Sequence, residues 1–170
     1  MAEAVNLQAV IKLIGTMTQT SDLSSPADVL SKDYTLTYGS GTGALQLNMW
    51  WHDQRTLTAS ATEDIDLAGS LVSVFGTTIT FTSLKGLVVS ASSANNAANN
   101  VNVTRPAANG TTLFLAAGDG IALTPGDIFV WFCAAANGRT VTAGSADLIT
   151  LTNSAGTNSV TYDVFVFGEV

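Results

Sequence analysis

The sequence predicts an all-β protein: an antiparallel β-sandwich or jelly roll with an N-terminal arm. Apolar and polar residues alternate in run after run of the 170-residue chain, which is the pattern of half-buried strands. Turns rich in Gly, Asn and Pro separate these runs, and no series of helices alternates with them. Short strands joined by such turns are typical of sandwiches and jelly rolls. We expect eight or nine strands.

The N-terminal arm comprises residues 1–45, and the sandwich domain comprises residues 46–170. The Gly-rich sequence GSGTG at 39–43 separates the two parts. A chain of this length can bury one good core without help. We therefore expect the arm, or its first strands, to pack either on this core or on a neighbouring subunit.

Two segments of the arm fit more than one structure. The apolar positions of residues 7–14 recur at helical spacing, yet the β-branched residues and the glycine of IKLIGTMTQT also fit a strand. We favour the strand. Further along, Ser25 could cap a helix in which Pro26 is the first residue and Asp28 lies in the first turn, so a single helical turn is predicted there.

Several later runs have clear strand patterns. In DYTLTY, TTITFT and SVTYDVFVF, apolar side chains recur at every second position, so each run should bury one face. The run DIFVWFCA, residues 127–134, is apolar on both faces, which predicts a central strand covered on two sides. Residues 90–103 are uncharged and of low complexity, and we expect a strand end followed by an excursion over the surface.

The charge balance argues against nucleic acid and membranes as partners. Only 11% of the residues are charged, and the net charge is −7. Nucleic-acid affinity depends on Lys and Arg, which are scarce here. The uncharged stretch 67–84 contains two glycines and seven Ser or Thr residues, which does not resemble a membrane span. The N-terminal sequence has no basic and apolar regions of the kind that form a secretory signal.

Residues suited to catalysis or metal binding are few. The single cysteine, Cys133, lies in an apolar run and is predicted to be a small buried hydrophobe without a disulfide. Asp64 and Asp66 share one face of a strand, but no calcium-loop spacing accompanies them, and a solvated polar face explains the pair. Without a plausible set of acid, base and nucleophile, we expect no enzyme activity, no cofactor and no metal.

The sequence NMWWHDQRTL concentrates the residues best suited to an interface. Trp50, Trp51 and Arg55 are residue types enriched at binding hot spots, and His52 is the only histidine. On a strand, Asp53 and Arg55 would share a face and could form an exposed ion pair. His52 and Asp53 would point to opposite faces, which argues against a catalytic pair. We therefore predict that Trp50, Trp51, His52 and Arg55 contact another subunit or the arm.

Part of the chain resembles a family of small structural proteins of tailed bacteriophages. The resemblance covers residues 52–92 and the C-terminal stretch 142–168, together about two fifths of the chain. Its motifs are strands and turns, and they stand here as Arg55-Thr56-Leu57, Glu63 to Leu67, Phe75-Gly76, Thr78 to Phe81 and Lys85 to Val89. The stretch 93–110 departs in length from the family pattern, so no contact residue is carried over.

The resemblance implies a virion component, a capsid decoration or cement protein. Such a protein would be made in the host cytoplasm, bind the major capsid protein on the outside of the assembled head, and act as a homo-oligomer, a dimer or trimer. One alternative is a carbohydrate-binding module or a tail-fibre or tail-tip component that contacts the host with Trp50, Trp51 and Trp131. A virion-associated hydrolase that depends on His52 is another alternative.

Overall fold

The computed structural model describes residues 4–170, and all of the regular structure in them is β-strand. Fourteen strands follow one another along the chain: β1 (Leu7–Thr18), β2 (Ala27–Ser40), β3 (Gln46–Leu47), β4 (Met49–Leu57), β5 (Thr62–Asp66), β6 (Ala68–Val72), β7 (Thr78–Thr80), β8 (Ser83–Ala91), β9 (Val101–Thr104), β10 (Gly120–Leu123), β11 (Ile128–Phe132), β12 (Arg139–Thr140), β13 (Leu148–Asn153) and β14 (Val160–Glu169). The structure has more strands than the eight or nine expected because several strands are only two to five residues long. Strands this short are too brief to show a clear alternation of apolar and polar residues.

Two antiparallel sheets pack face to face as a sandwich. One has the strand order β10-β9-β13-β5; the other has the order β11-β8-β14-β4, with β12 paired to β8. Their inner faces share one apolar core, to which Val103 and Leu151 contribute from the first sheet and Leu87 and Val164 from the second. The predicted all-β class and sandwich are thereby confirmed. The jelly-roll connectivity and the division at residue 45 stay predictions.

Strand β14 shows how the sequence pattern produces the layers. Val160, Tyr162, Val164 and Val166 are fully buried, whereas the residues between them face outward. The strand pairs with β4 on one side and β8 on the other, so it lies inside the sheet. In β7 and just after it, Ile79 and Phe81 are buried in the same alternating way. The period of two was therefore a correct guide to the core face.

Strands β1 and β2 form a long hairpin with little cover. Twelve residue pairs join them, from Leu7 opposite Tyr38 to Thr18 opposite Ala27. Within residues 4–170, the base of this β1–β2 hairpin is the part that pairs with another strand, where Gly39 and Ser40 pair in parallel with β3. Residues 7–14 thus form a strand, as favoured, rather than a helix.

The predicted helical turn is wrong. Pro26 immediately precedes β2, and its carbonyl accepts a hydrogen bond from the backbone N–H of Gln19 at 3.1 Å. Ser21 N–H bonds to the carbonyl of Ser24 at 3.0 Å and closes the hairpin turn. Asp28 lies opposite Met17 in the ladder. Pairing with β1 gives the backbone its hydrogen bonds, and proline is tolerated at the start of a strand.

The predicted central strand at residues 127–134 is also wrong. Strand β11 lies at the edge of its sheet, and Ile128 is 61% exposed. Only Phe129 and Trp131 point toward the core. The outer face of this strand is apolar although Ile128 and Val130 on it are exposed, so its sequence matches that of a strand buried on both sides.

Two smaller expectations need correction. The predicted surface excursion at 90–103 ends early, since Asn99 is fully buried and β9 places Val101 and Val103 in the core. Cys133 is only half-buried, just beyond the end of the edge strand β11. A position past the last residue of an edge strand lacks the neighbours that would enclose the thiol.

Candidate functional site

Strand β4 divides the predicted interface residues between two faces. Trp51 points into the sandwich and is 6% exposed, whereas Trp50 on the opposite face is 39% exposed. His52 shares the outer face with Trp50, and its ring lies 5.9 Å from that of Phe165. Arg55 lies on the side of Trp51. The four residues are therefore neighbours in sequence but do not form one surface.

Arg55 links the two sheets through side-chain contacts between their edge strands, β4 and β5. Its Nε donates to the Asp53 carboxylate at 3.1 Å, and its Nη1 donates to Glu63 of β5 at 2.6 Å. The guanidinium also lies 5.2 Å from the centre of the Trp51 ring. The other carboxylate oxygen of Glu63 accepts the hydroxyl hydrogen of Tyr162. The predicted ion pair between Asp53 and Arg55 is present as part of this larger cluster.

The electrostatics of this cluster favour a structural role. Burial, and then the hydrogen bond to Glu63, raise the pKa of Tyr162. Burial lowers the pKa of Arg55, but the bonds to Glu63 and Asp53 outweigh it and the net pKa is raised. Tyr162 is fully buried, so its hydroxyl cannot meet a substrate. The cluster links the edge strands β4 and β5 of the two sheets. Its ionisable side chains are bonded to one another, so it offers no unbonded group for acid or base catalysis.

An apolar pocket of about 360 Å³ lies beside the edge strand β4. Trp50, Trp51 and His52 line it together with the preceding Asn48 and Met49 and with two other segments, Ala4-Val5 and Ser73 to Phe75. Val74 and Phe75 are largely exposed at its rim. Three of the four predicted interface residues thus border a concave apolar surface, whereas Arg55 does not.

The β1–β2 hairpin carries a second apolar surface. Paired residues share a face of the hairpin, and one face is mostly apolar. We call it the apolar hairpin face; its large members are Leu7, Ile11, Leu13, Met17, Leu30, Tyr34, Leu36 and Tyr38. Near the base, Tyr38 is buried against the sandwich, but beyond it Ile11, Leu13 and Met17 are exposed. The opposite face is dominated by Thr, Ser, Gln, Lys and Asp.

A buried lysine fixes the base of this hairpin. Lys85 is fully buried and forms an ion pair with Glu169. Its Nζ also donates to the carbonyls of Gly43 and Gln46, at 2.8 and 2.9 Å. The two hydrogen bonds attach the segment between β2 and β3 to the sandwich, and the ion pair compensates the buried charge. Sequence reasoning missed this contact, although one lysine in the apolar run SLKGLVV was a usable signal.

The acidic residues considered as metal ligands have protein partners. Asp64 accepts a hydrogen bond from the Thr150 hydroxyl at 2.6 Å, and Asp66 accepts one from the Ala68 N–H at 2.8 Å. Across residues 4–170, no three His, Cys, Asp or Glu side chains are grouped so as to hold a metal ion. The same part of the chain contains no helix long and apolar enough to cross a membrane.

Comparison with known proteins finds no matching family model, no similar curated protein and no similar solved structure. The features that can carry a functional argument are therefore the geometry of the sandwich and the sequence resemblance.

Proposed function

We propose that this protein is a structural component of the tailed-bacteriophage virion, a decoration protein that binds the outer surface of the assembled capsid as a homo-oligomer. Its partners would be the major capsid protein and one or two further copies of the chain. The exposed apolar hairpin face carries the proposal, because contiguous uncovered apolar surface marks interaction sites. The resemblance of residues 52–92 and 142–168 to phage structural proteins supplies the setting.

The hairpin supports an assembly role because it gains little from its own chain. A two-stranded hairpin is at best marginally stable in water unless its apolar side packs against something. Ile11, Leu13 and Met17 lie beyond the packed base and stay exposed. Full burial of one such side chain contributes about 1.5–3 kcal/mol. The distal part of the hairpin would therefore act as an arm that becomes covered in the assembled protein.

The remaining surface suits broad contact with a protein lattice. Thr, Ser and Asn supply most of its polar groups, and the net charge of −7 disfavours phosphate backbones. A ligand that binds only the assembled lattice stabilises that lattice by mass action, by about 2.7 kcal/mol at a hundredfold excess over Kd. An oligomer that engages several capsid subunits together needs only weak individual contacts. In this way the protein would resist the internal pressure of packaged DNA.

The geometry gives less support to the alternatives. Of the three tryptophans considered for a sugar-binding surface, Trp51 is buried and Trp131 packs against the core, so Trp50 is the exposed one. For a hydrolase, His52 would need a catalytic partner, but its ring packs beside the ring of Phe165. We therefore assign no chemical step to the protein.

The test uses expanded heads from a phage that lacks this protein. Purified protein is mixed with these heads and, as the matched control, with unexpanded proheads; co-sedimentation and the temperature of head disruption are then measured. We expect saturable binding to expanded heads and a higher disruption temperature. Absence of binding, or density on the tail in an electron-microscopy map of the virion, would overturn the proposal.

A further inference from the structure

The outer face of the five-stranded sheet carries an apolar row where a sandwich normally carries polar residues. The ladder registers align His52 of β4 with Phe165 of β14, Phe165 with Val88 of β8, and Val88 with Val130 of β11. We call these four residues the outer-face row. Phe165 is 36% exposed and Val130 is 40% exposed. An antiparallel sheet that faced only water would be polar here.

The neighbouring row of the same sheet shows what covers such a surface. The ring of Phe132 lies 5.5 Å from that of Phe167 and 6.1 Å from that of Tyr38 at the base of the hairpin. Leu7 and Leu36 join this cluster. Within one chain, the proximal part of the apolar hairpin face therefore already packs on the outer face of this sheet. The distal part of the hairpin face and the outer-face row are both left uncovered.

We propose that the outer-face row of one copy is covered by the distal apolar hairpin face of a second copy. The proposal rests on the homo-oligomer of the proposed function and deepens it by naming the two surfaces that meet. Each copy would give one hairpin and receive one, so that the contact closes into a symmetric dimer or, head to tail, into a ring.

Charge and spacing match between the two surfaces. Lys32 lies on the apolar hairpin face two residues from Tyr34, and its ammonium is 5.5 Å from the centre of that ring. Asp163 lies on the outer sheet face two residues from Phe165 and accepts a hydrogen bond from Gln54 at 2.9 Å. Two residues of strand span about 6.8 Å on both surfaces. Tyr34 can therefore lie over Phe165 while Lys32 meets Asp163.

The area corresponds to a contact of moderate size. The distal part of the hairpin, from the Ile11–Tyr34 pair to the Thr18–Ala27 pair, is eight residues or about 27 Å long, and with two strands about 4.8 Å apart its face is roughly 10 Å wide. This face covers about 270 Å², and a copy that gives one hairpin and receives another buries about 540 Å². That value lies below the roughly 800 Å² of each partner in a standard interface and is typical of weak, reversible self-association.

The first test compares the two faces of one strand by sedimentation equilibrium of the full chain. Ile11→Thr alters the apolar hairpin face, and Ile14→Thr is the matched control because Ile14 lies on the opposite face and is 69% exposed. We expect Ile11→Thr to raise the dissociation constant about tenfold, and Ile14→Thr to change it by less than about threefold. Circular dichroism establishes that both variants are folded. Equal effects, or a wild-type monomer at every concentration, would overturn the proposal.

The second test asks whether the contact joins two chains. Lys32→Glu and Asp163→Lys should each weaken self-association about tenfold, because each places like charges at the contact. An equimolar mixture of the two single variants should associate as tightly as wild type, since each contact between unlike chains restores an opposite-charge pair. If only the double variant recovers and the mixture does not, the hairpin covers its own sheet and the proposal is wrong.

These outcomes are separable from those of the proposed function. If Ile11→Thr loses self-association and wild type does not bind heads, the interface between copies is supported and the proposed capsid role is refuted. Conversely, if Ile11→Thr keeps its oligomeric state but loses head binding, the hairpin face contacts the capsid and the interface between copies is refuted.

Discussion

The ring of Tyr38 lies 6.1 Å from the ring of Phe132, and this contact joins the hairpin to the outer face of the five-stranded sheet. The Tyr38 hydroxyl also donates to the carbonyl of Cys133 at 3.0 Å, just past the end of β11. A single fully buried side chain thus supplies both an apolar and a polar connection between the two parts of the chain.

Substitutions at Tyr38 should separate these two connections. Tyr38→Phe keeps the ring and removes the hydrogen bond, so we expect the free energy of unfolding to fall by about 1 kcal/mol. Tyr38→Ala also removes the ring, and a loss of about 3–5 kcal/mol is expected. Urea unfolding followed by tryptophan fluorescence measures both. Tyr34→Phe, at an exposed ring, is the control and should change the free energy of unfolding by less than about 0.5 kcal/mol. A larger effect at Tyr34 would contradict the assignment of the Tyr38→Phe loss to its buried hydrogen bond.

Loss of the buried ammonium at Lys85 should be costly. Lys85→Met leaves Glu169 without its ion-pair partner and removes the donor for the carbonyls of Gly43 and Gln46. We expect a loss of about 3–5 kcal/mol in chemical unfolding. The matched variant is Lys12→Met, because Lys12 pairs with Asp33 across 3.9 Å at an exposed site, and it should cost at most about 0.5 kcal/mol. Similar losses for both would show that burial of the pair is unimportant.

Alkaline conditions should weaken the fold through Tyr162. Burial and the bond to Glu63 raise the pKa of Tyr162 above the ordinary value of 10.0, so the folded state holds this proton more tightly than the unfolded chain does. The stabilisation is complete below about pH 10 and is lost as the pH rises further.

The melting temperature of wild type should therefore fall more steeply above pH 10 than that of Tyr162→Phe. A residual slope is expected in the variant, because burial, followed by the charge of Cys133, raises the pKa of Tyr38 as well. Calorimetry between pH 8 and pH 11 provides the comparison. Parallel curves for wild type and Tyr162→Phe would contradict the assignment of the alkaline loss to this hydroxyl.

Gly86 should resist substitution because the rings of Phe132 and Phe167 occupy the space beside it. A Cβ atom at this position would lie 2.7 Å from the Phe132 ring and 3.1 Å from the Phe167 ring. Gly86→Ala should therefore destabilise the protein by about 1–3 kcal/mol through overpacking. At Gly39 a Cβ meets nothing within 4 Å, so Gly39→Ala is the control and should be nearly neutral in thermal unfolding. A neutral Gly86→Ala would mean that the two rings can shift freely.

The strand pattern was readable from sequence wherever one face met the core. The alternation in β14 and around Ile79 and Phe81 identified the buried residues, because the pleat of a strand is a local property of the backbone. The same local rule placed Asp53 beside Arg55 on one face of β4, whereas the N-terminal strand was favoured over a helix by its β-branched residues and its glycine. It did not predict the course of the chain at Ser25 and Pro26, where pairing with β1 decides the backbone conformation.

Contacts between distant parts of the chain were outside the reach of sequence patterns. Tyr162 is 99 residues from Glu63, and nothing in either segment indicates the other. The buried pair of Lys85 and Glu169 depends likewise on the pairing of β8 with β14, whose register shifts between Phe167 and Gly168. Which side chains meet across a sandwich is set by strand order, and strand order is set by the whole core.

The sequence by itself determined that this is an all-β protein with few charges and with strands whose core faces can be listed. Only the tertiary structure decided that β11 lies at an edge and that one hairpin face stays uncovered. The physical reason is that alternation fixes the face of the sheet on which a residue lies, whereas its neighbours determine whether that face is covered. An apolar outer face therefore has the same sequence pattern whether another layer of this chain or another protein covers it.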